Sequence, residues 1–250
     1  MRDRVLGISL VFALGLVCPL IAHGQAQQPA AAKPAPPAPP RDLSGVWNAR
    51  NPRGTNLPNG WGKVPPVLTP WGEEQLKLSK PSNGGPNTLE QTNDPVITKC
   101  LPPGVPRIYL HPFPMEISQN PKEVLMLFEY DHTVRRIFID GRKHPDEPLP
   151  TFMGDSIGSW EGNDTLVVDT VGFNDATWLT RSGHRHSDQL HVTERMKRVD
   201  RDHLQIDITM EDPKALVKPW QGQMNFELHP EWDILEQDCT ENSDFLSFEK

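Results

Sequence analysis

The chain has 250 residues, 25 Lys+Arg against 33 Asp+Glu, a net charge of −8 and 36% hydrophobic residues. That length can bury one sizeable core, and the negative charge argues against nucleic acid or an anionic membrane surface as the main partner. A mean hydropathy of −0.54 excludes a multi-span membrane protein, while the aromatic and β-branched content is too high for a disordered chain.

Met1–Ala26 has the layout of a signal peptide. Arg2 and Arg4 precede the apolar run Val5–Ala22, and Gly24 and Ala26 supply the small residues of a cleavage site. Gln27–Pro40 is almost entirely Ala and Pro, a composition that gives an extended, semi-stiff spacer rather than a core. A single domain over 41–250 is therefore expected, in a periplasmic or secreted protein that keeps no membrane span once the signal is removed. Cleavage removes Cys18 and leaves Cys100 and Cys239, an even count that in an oxidising compartment predicts a disulfide rather than two free thiols.

The 27 prolines disfavour long helices. The best helix candidate is Pro70–Ser79, with Thr69 as its cap, Pro70 in its first turn, and Glu73 and Glu74 complementing the dipole. Beyond Ile117 the pattern is strand. Val124–Tyr130 and Val134–Ile139 flank an Asp131-His132 turn, and Gly158–Glu161 and Thr165–Val171 flank Gly162-Asn163-Asp164. Leu190–Val199 and Leu204–Met210 flank Asp200-Arg201-Asp202. In the latter run Leu204, Ile206, Ile208 and Met210 share one face, and Met224, Phe226 and Leu228 repeat that period of two. Successive hairpins of this kind predict a mostly β domain, an antiparallel barrel or sandwich. Gly45-Val46-Trp47 resembles the opening of lipocalin-like barrels, whose Trp plugs the floor, and this favours the barrel.

Ordered blocks across the mature domain resemble a family of uncharacterised secreted bacterial β-rich proteins. They are Leu43-Ser44-Gly45-Val46-Trp47, Leu68-Thr69-Pro70-Trp71-Gly72, Gly154-Asp155-Ser156-Ile157-Gly158 with Trp160-Glu161-Gly162, Thr165–Thr170 with Gly172-Phe173-Asn174-Asp175, and His186-Ser187-Asp188 with Leu190-His191-Val192 and Glu194-Arg195. Two departures stand out: the Gly162-Asn163-Asp164 turn is one residue longer than the family form, and Arg185 occupies the place of a Pro. The resemblance implies a secreted β-rich domain and carries no activity.

Chemistry-bearing groups gather in two places. In an extended segment His184, His186 and Asp188 point to one side, a three-ligand set with an open position suited to a divalent metal such as zinc. His191 follows, with Glu194 on the opposite strand face, and His111, His132 and His144 are contributors from other loops. The second group is acidic, with Asp155, Glu161, Asp169 and Asp175 interleaved with Trp160, Phe173 and Trp178. A carboxyl group beside indole has its charged form disfavoured and suits general acid work, and Asp155 is preferred because Gly154 and Gly158 allow close backbone approach. The alternative is structural: histidines bonded to nearby backbone, Asp155 and Asp175 capping turns, and Trp160 in the core. There is no G-x-S-x-G, no P-loop and no G-x-G-x-x-G. Arg135, Arg136, Arg142 and Lys143 read as a solvated sheet edge.

The leading expectation is an exported enzyme acting on a small organic molecule by acid/base or metal-assisted hydrolysis or elimination. His186, His191, Asp155 and Asp188 are its catalytic candidates, and Trp160, Trp178 and Phe173 its substrate walls. The alternative is a lipocalin-like binding protein for an apolar ligand, without catalysis.

Overall fold

A computed structural model of the chain describes residues 41–49, 61, 64–81 and 91–239. The signal peptide and the Ala/Pro spacer lie outside the described residues. Nine strands form one closed, lipocalin-like barrel: β1 Gly45–Ala49, β2 Met115–Gln119, β3 Glu123–Phe128, β4 Val134–Phe138, β5 Asp155–Glu161, β6 Thr165–Val171, β7 His191–Arg198, β8 His203–Glu211 and β9 Trp220–Leu228. Neighbours in sequence are neighbours in space, and β1 pairs with β9 to close the wall. Every pairing is antiparallel except β4 with β5, which run parallel and meet only at Ile137–Ser156 and Phe138–Ile157. The chain from Ile139 to Gly154 must therefore travel back along the outside of the barrel before β5 can begin.

Helix α1, Pro70–Leu78, forms as expected, with the Thr69 hydroxyl accepting from the Gly72 amide and Ser79 as the residue beyond its end. Two short elements add to this: α2, Pro95–Thr98, capped by Asp94 with Pro95 in its first turn, and a 3-10 turn at Arg107–Leu110, which has no side-chain cap. The β3–β4 turn is built on Asp131 and His132, both left-handed at φ 53° and 49°, as a two-residue hairpin requires.

At the end holding the β5–β6 and β7–β8 turns, Trp47 is fully buried, donates its indole N–H to the Leu43 carbonyl and lies under the Arg198 guanidinium. The lumen is filled by side chains of alternate strand residues, among them Met126, Val168, Met196, Ile206 and Met210, all at 0% exposure. At the other end the disulfide Cys100–Cys239 forms, with Cα atoms 5.6 Å apart, and ties the segment leading into the 3-10 turn to the C-terminal tail. No helix among the described residues is long and apolar enough to cross a membrane.

Arg135 corrects an expectation. It is 1% exposed and belongs to the lumen, whereas Arg136, Arg142 and Lys143 are exposed as a solvated edge would be. In β4 Arg135 has the same parity as Ile137, so a regular strand must turn it inward.

Candidate functional site

Inside the barrel, Arg135 of β4 meets Glu194 of β7 in a fully buried ion pair. Its guanidinium also donates to Tyr109 at 2.7 Å, Ser156 at 3.2 Å and Thr170 at 3.0 Å, and Tyr109 donates to Glu194 at 2.7 Å. Burial opposes the charge on Arg135, but Glu194 and Tyr109 outweigh it and hold its pKa above the usual value. Burial, reinforced by Glu194 against Arg135, pushes the Tyr109 phenol well up, so it stays a donor. Every donor of this guanidinium is thus engaged within the protein.

On the outer face of the same strands a second set of groups forms a row, in which Asp155, Asp169 and His191 are diagonal neighbours and Glu211 lies directly opposite His191. Asp155 begins β5, Asp169 lies in β6, His191 begins β7 and Glu211 ends β8. Diagonal neighbours on one sheet face are about 7–8 Å apart, a gap that an imidazole spans. His144, carried in by the β4–β5 crossover, donates from Nδ1 to Asp155 at 2.5 Å and turns Nε2 toward Asp169, 4.0 Å away. That Nε2 is buried without a hydrogen-bond partner. His191 bonds Asp169 through Nε2 and faces Glu211 through Nδ1 at 3.4 Å. Carboxylates and imidazoles alternate along the row Asp155, His144, Asp169, His191, Glu211, with hydrogen bonds joining His144 to Asp155 and His191 to Asp169 and a 4.0 Å gap between His144 and Asp169.

Asp155 also opens onto a cleft. Because β4 and β5 meet over two residue pairs only, the wall parts beside Arg135, leaving about 480 Å³ between the β3–β4 turn and the segment 151–156. Gly154 lies on its rim with φ 70°, and a Cβ there would fall 2.6 Å from a Thr170 methyl. This supports the expectation that glycine permits close approach beside Asp155.

Two expected site residues, Asp155 and His191, thus share one row. His144, an accessory candidate in the sequence, proves to be the partner of Asp155, as Asp169 of the acidic group is of His191, and Glu211 was missed although it has the outward parity of the alternating run in β8. The remaining candidates lie elsewhere. His184 pairs with the Thr180 hydroxyl at 2.9 Å, His186 bonds the Ser187 carbonyl at 3.0 Å, and Asp188 is exposed. The chain here is not extended: Trp178 bridges to Arg185 and the Leu179 amide bonds the His184 carbonyl, so the i, i+2 alternation that would gather His184, His186 and Asp188 does not apply. Among the described residues no group of three or more His, Cys, Asp and Glu side chains is arranged to hold a metal ion.

The aromatic candidates do not wall one cavity. Phe173 is buried against His186, and Trp178 is buried between the guanidinium groups of Arg107 and Arg185. Trp160 borders a separate cleft with Arg41, Pro121 and Ile139, five residues along β5 from Asp155. Of the other acids, Glu161 pairs with Arg195 and Asp175 is exposed.

Burial lowers the pKa of three histidines outside the row. For His111 it acts with Arg107 and Arg181; for His184 it acts alone; for His186 the Ser187 carbonyl, Asp212 and Asp175 only partly offset it. A depressed folded pKa means that the unfolded chain binds protons first. The stability these neutral histidines contribute is complete above pH about 6.5 and is lost as pH falls through their folded values. Thermal unfolding followed from pH 7.5 downward should show Tm declining once pH passes below about 6.5. A Tm that rose on acidification through that range would contradict these assignments.

Comparison with known protein families and with curated proteins finds no match to this chain.

Proposed function

We propose that this chain is an exported enzyme that performs acid/base hydrolysis or elimination on a small organic molecule at the β4–β5 cleft, with Asp155 as the group that exchanges a proton with substrate or water. The observation that carries this reading is the position of Asp155: it lines the cleft on one side and accepts from His144 on the other. The His144 N–H orients the carboxylate and steadies its charge. Asp155 is open to the cleft on its other side, so a proton it takes up there can return to the leaving group or to water in the same cleft. A disulfide joining residues 139 apart suits the oxidising compartment that the signal peptide implies. The rival, an apolar ligand held in the lumen without catalysis, has against it the close filling of the described lumen by Met, Val and Ile side chains.

Screening the mature chain against small esters, lactones and hydroxylated ring compounds should return a turnover that Asp155→Asn lowers by at least about a hundredfold, with circular dichroism unchanged. His191→Ala should lower it less and shift its pH profile. Turnover unaffected by both substitutions would overturn the assignment.

A further inference from the structure

We infer that the β4–β5 cleft binds an uncharged ring compound bearing a hydroxyl group, its apolar face against Phe152 and Met153 and its hydroxyl toward Asp155 and Thr133. The inference rests on the reading of Asp155 given above and adds the class of molecule that the cleft accepts.

The size comes first. About 480 Å³ lies within the range of small-molecule sites and suits one or two rings. The wall comes next. Phe152 and Met153 are half-buried and line the cleft. Phe138 also lines it, but the Arg142 guanidinium already lies 3.6 Å over its ring and Arg136 sits 5.2 Å from it, so its face is occupied. The apolar surface left for a ligand is therefore that of Phe152 and Met153, extended by Pro102 and Val134.

The polar side is set by an unpaired group. Thr133 is 8% exposed, lines the cleft, and its hydroxyl oxygen is buried without a hydrogen-bond partner. A buried hydroxyl left unpaired costs about 1–3 kcal/mol, a cost that a ligand hydroxyl in the cleft would remove. Asp155, bonded by His144 through one oxygen, can accept from the same ligand through the other.

Charge then excludes anions. The two arginines on the cleft are both paired, Arg135 with Glu194, Tyr109, Ser156 and Thr170, and Arg136 with Glu123, and His132 lines it beside them. The carboxylates of Asp131 and Asp155 border the same space. A negatively charged ring would meet the like charges of Asp131 and Asp155, with both arginines of the cleft already in ion pairs.

The test uses p-cresol as the probe, benzoate and benzylammonium as its anionic and cationic counterparts, and the full mature chain, with binding read by saturation-transfer NMR and calorimetry. p-Cresol should bind and benzoate should not. Met153→Trp, which fills the cleft, should abolish binding, and Thr133→Val should weaken it about fivefold, the worth of one neutral hydrogen bond. Should Met153→Trp fail to fold, Phe152→Ala carries the same test at a half-buried position. Equal or tighter binding of benzoate or benzylammonium would overturn the inference, as would p-cresol binding that survives the cleft substitutions. Binding is measured apart from turnover: a catalytically dead Asp155→Asn variant that still holds p-cresol would support the ligand class, while turnover that persists in that variant would sink the acid/base reading alone.

Discussion

Glu194→Leu is expected to destabilise the barrel by about 3–5 kcal/mol, because it strands the Arg135 guanidinium in the lumen without a counter-charge. Both side chains are essentially inaccessible, at 1% and 0% exposure. The same substitution takes from Tyr109 the acceptor of its hydroxyl proton. In a domain of this size the loss corresponds to a fall in Tm of roughly 10 °C, readable by thermal circular dichroism. Combining it with Arg135→Met should recover most of the loss, since replacing both members of a buried pair by apolar residues of similar volume is often neutral. A single variant that melts with its parent, or a double variant worse than either single one, would show that the pair is not the closed, dry contact described above.

The disulfide carries the other large effect. Cys100 and Cys239 are 139 residues apart, and the chain-entropy relation assigns a bridge over that span about 5 kcal/mol, an upper figure for a compact denatured state. Replacing both by Ser should lower the urea midpoint accordingly, and dithiothreitol added to the parent should reproduce the change. The effect should be greatest at the end of the barrel that receives the tail, where the Cys239 sulfur also lies against the Val96 carbonyl. A parent and Cys100→Ser/Cys239→Ser pair with coincident urea curves would place the stability of that end in other contacts.

The parts of this molecule that were legible in the sequence are those with local causes. Thr69, Pro70 and Glu73 specify the start of α1 by themselves. The β7–β8 and β8–β9 ladders follow from alternation, and the Asp131-His132 and Gly162-Asn163-Asp164 turns from composition. The parallel seam between β4 and β5 has no such trace, because which way a strand joins its neighbour depends on the route of the connection rather than on residues within the strand. The inner ion pair was within reach of sequence reasoning: Arg135 has the parity of Ile137, and Glu194 that of Val192 and Met196, so two opposite charges stood on core faces. At the site, Asp155 and His191 stood out as titratable groups near strand ends. The pairing of Asp155 with His144 could not be read, since that histidine lies in irregular chain whose path only the fold defines. The grouping of His184, His186 and Asp188 assumed extended chain where a tight turn stands.

The pairing of β1 with β9 sets the order in which the molecule can be assembled. The first strand, Gly45–Ala49, waits for a partner that ends at Leu228, so the sheet has two unpaired edges until nearly the whole domain is available. Contacts of such long sequence separation form late and slowly. The Cys239 partner of Cys100 lies later still in the chain, so the bridge too needs nearly the whole domain. An incomplete chain would expose both edges together, and these are the surfaces through which copies of this protein would associate if synthesis or transport stopped short.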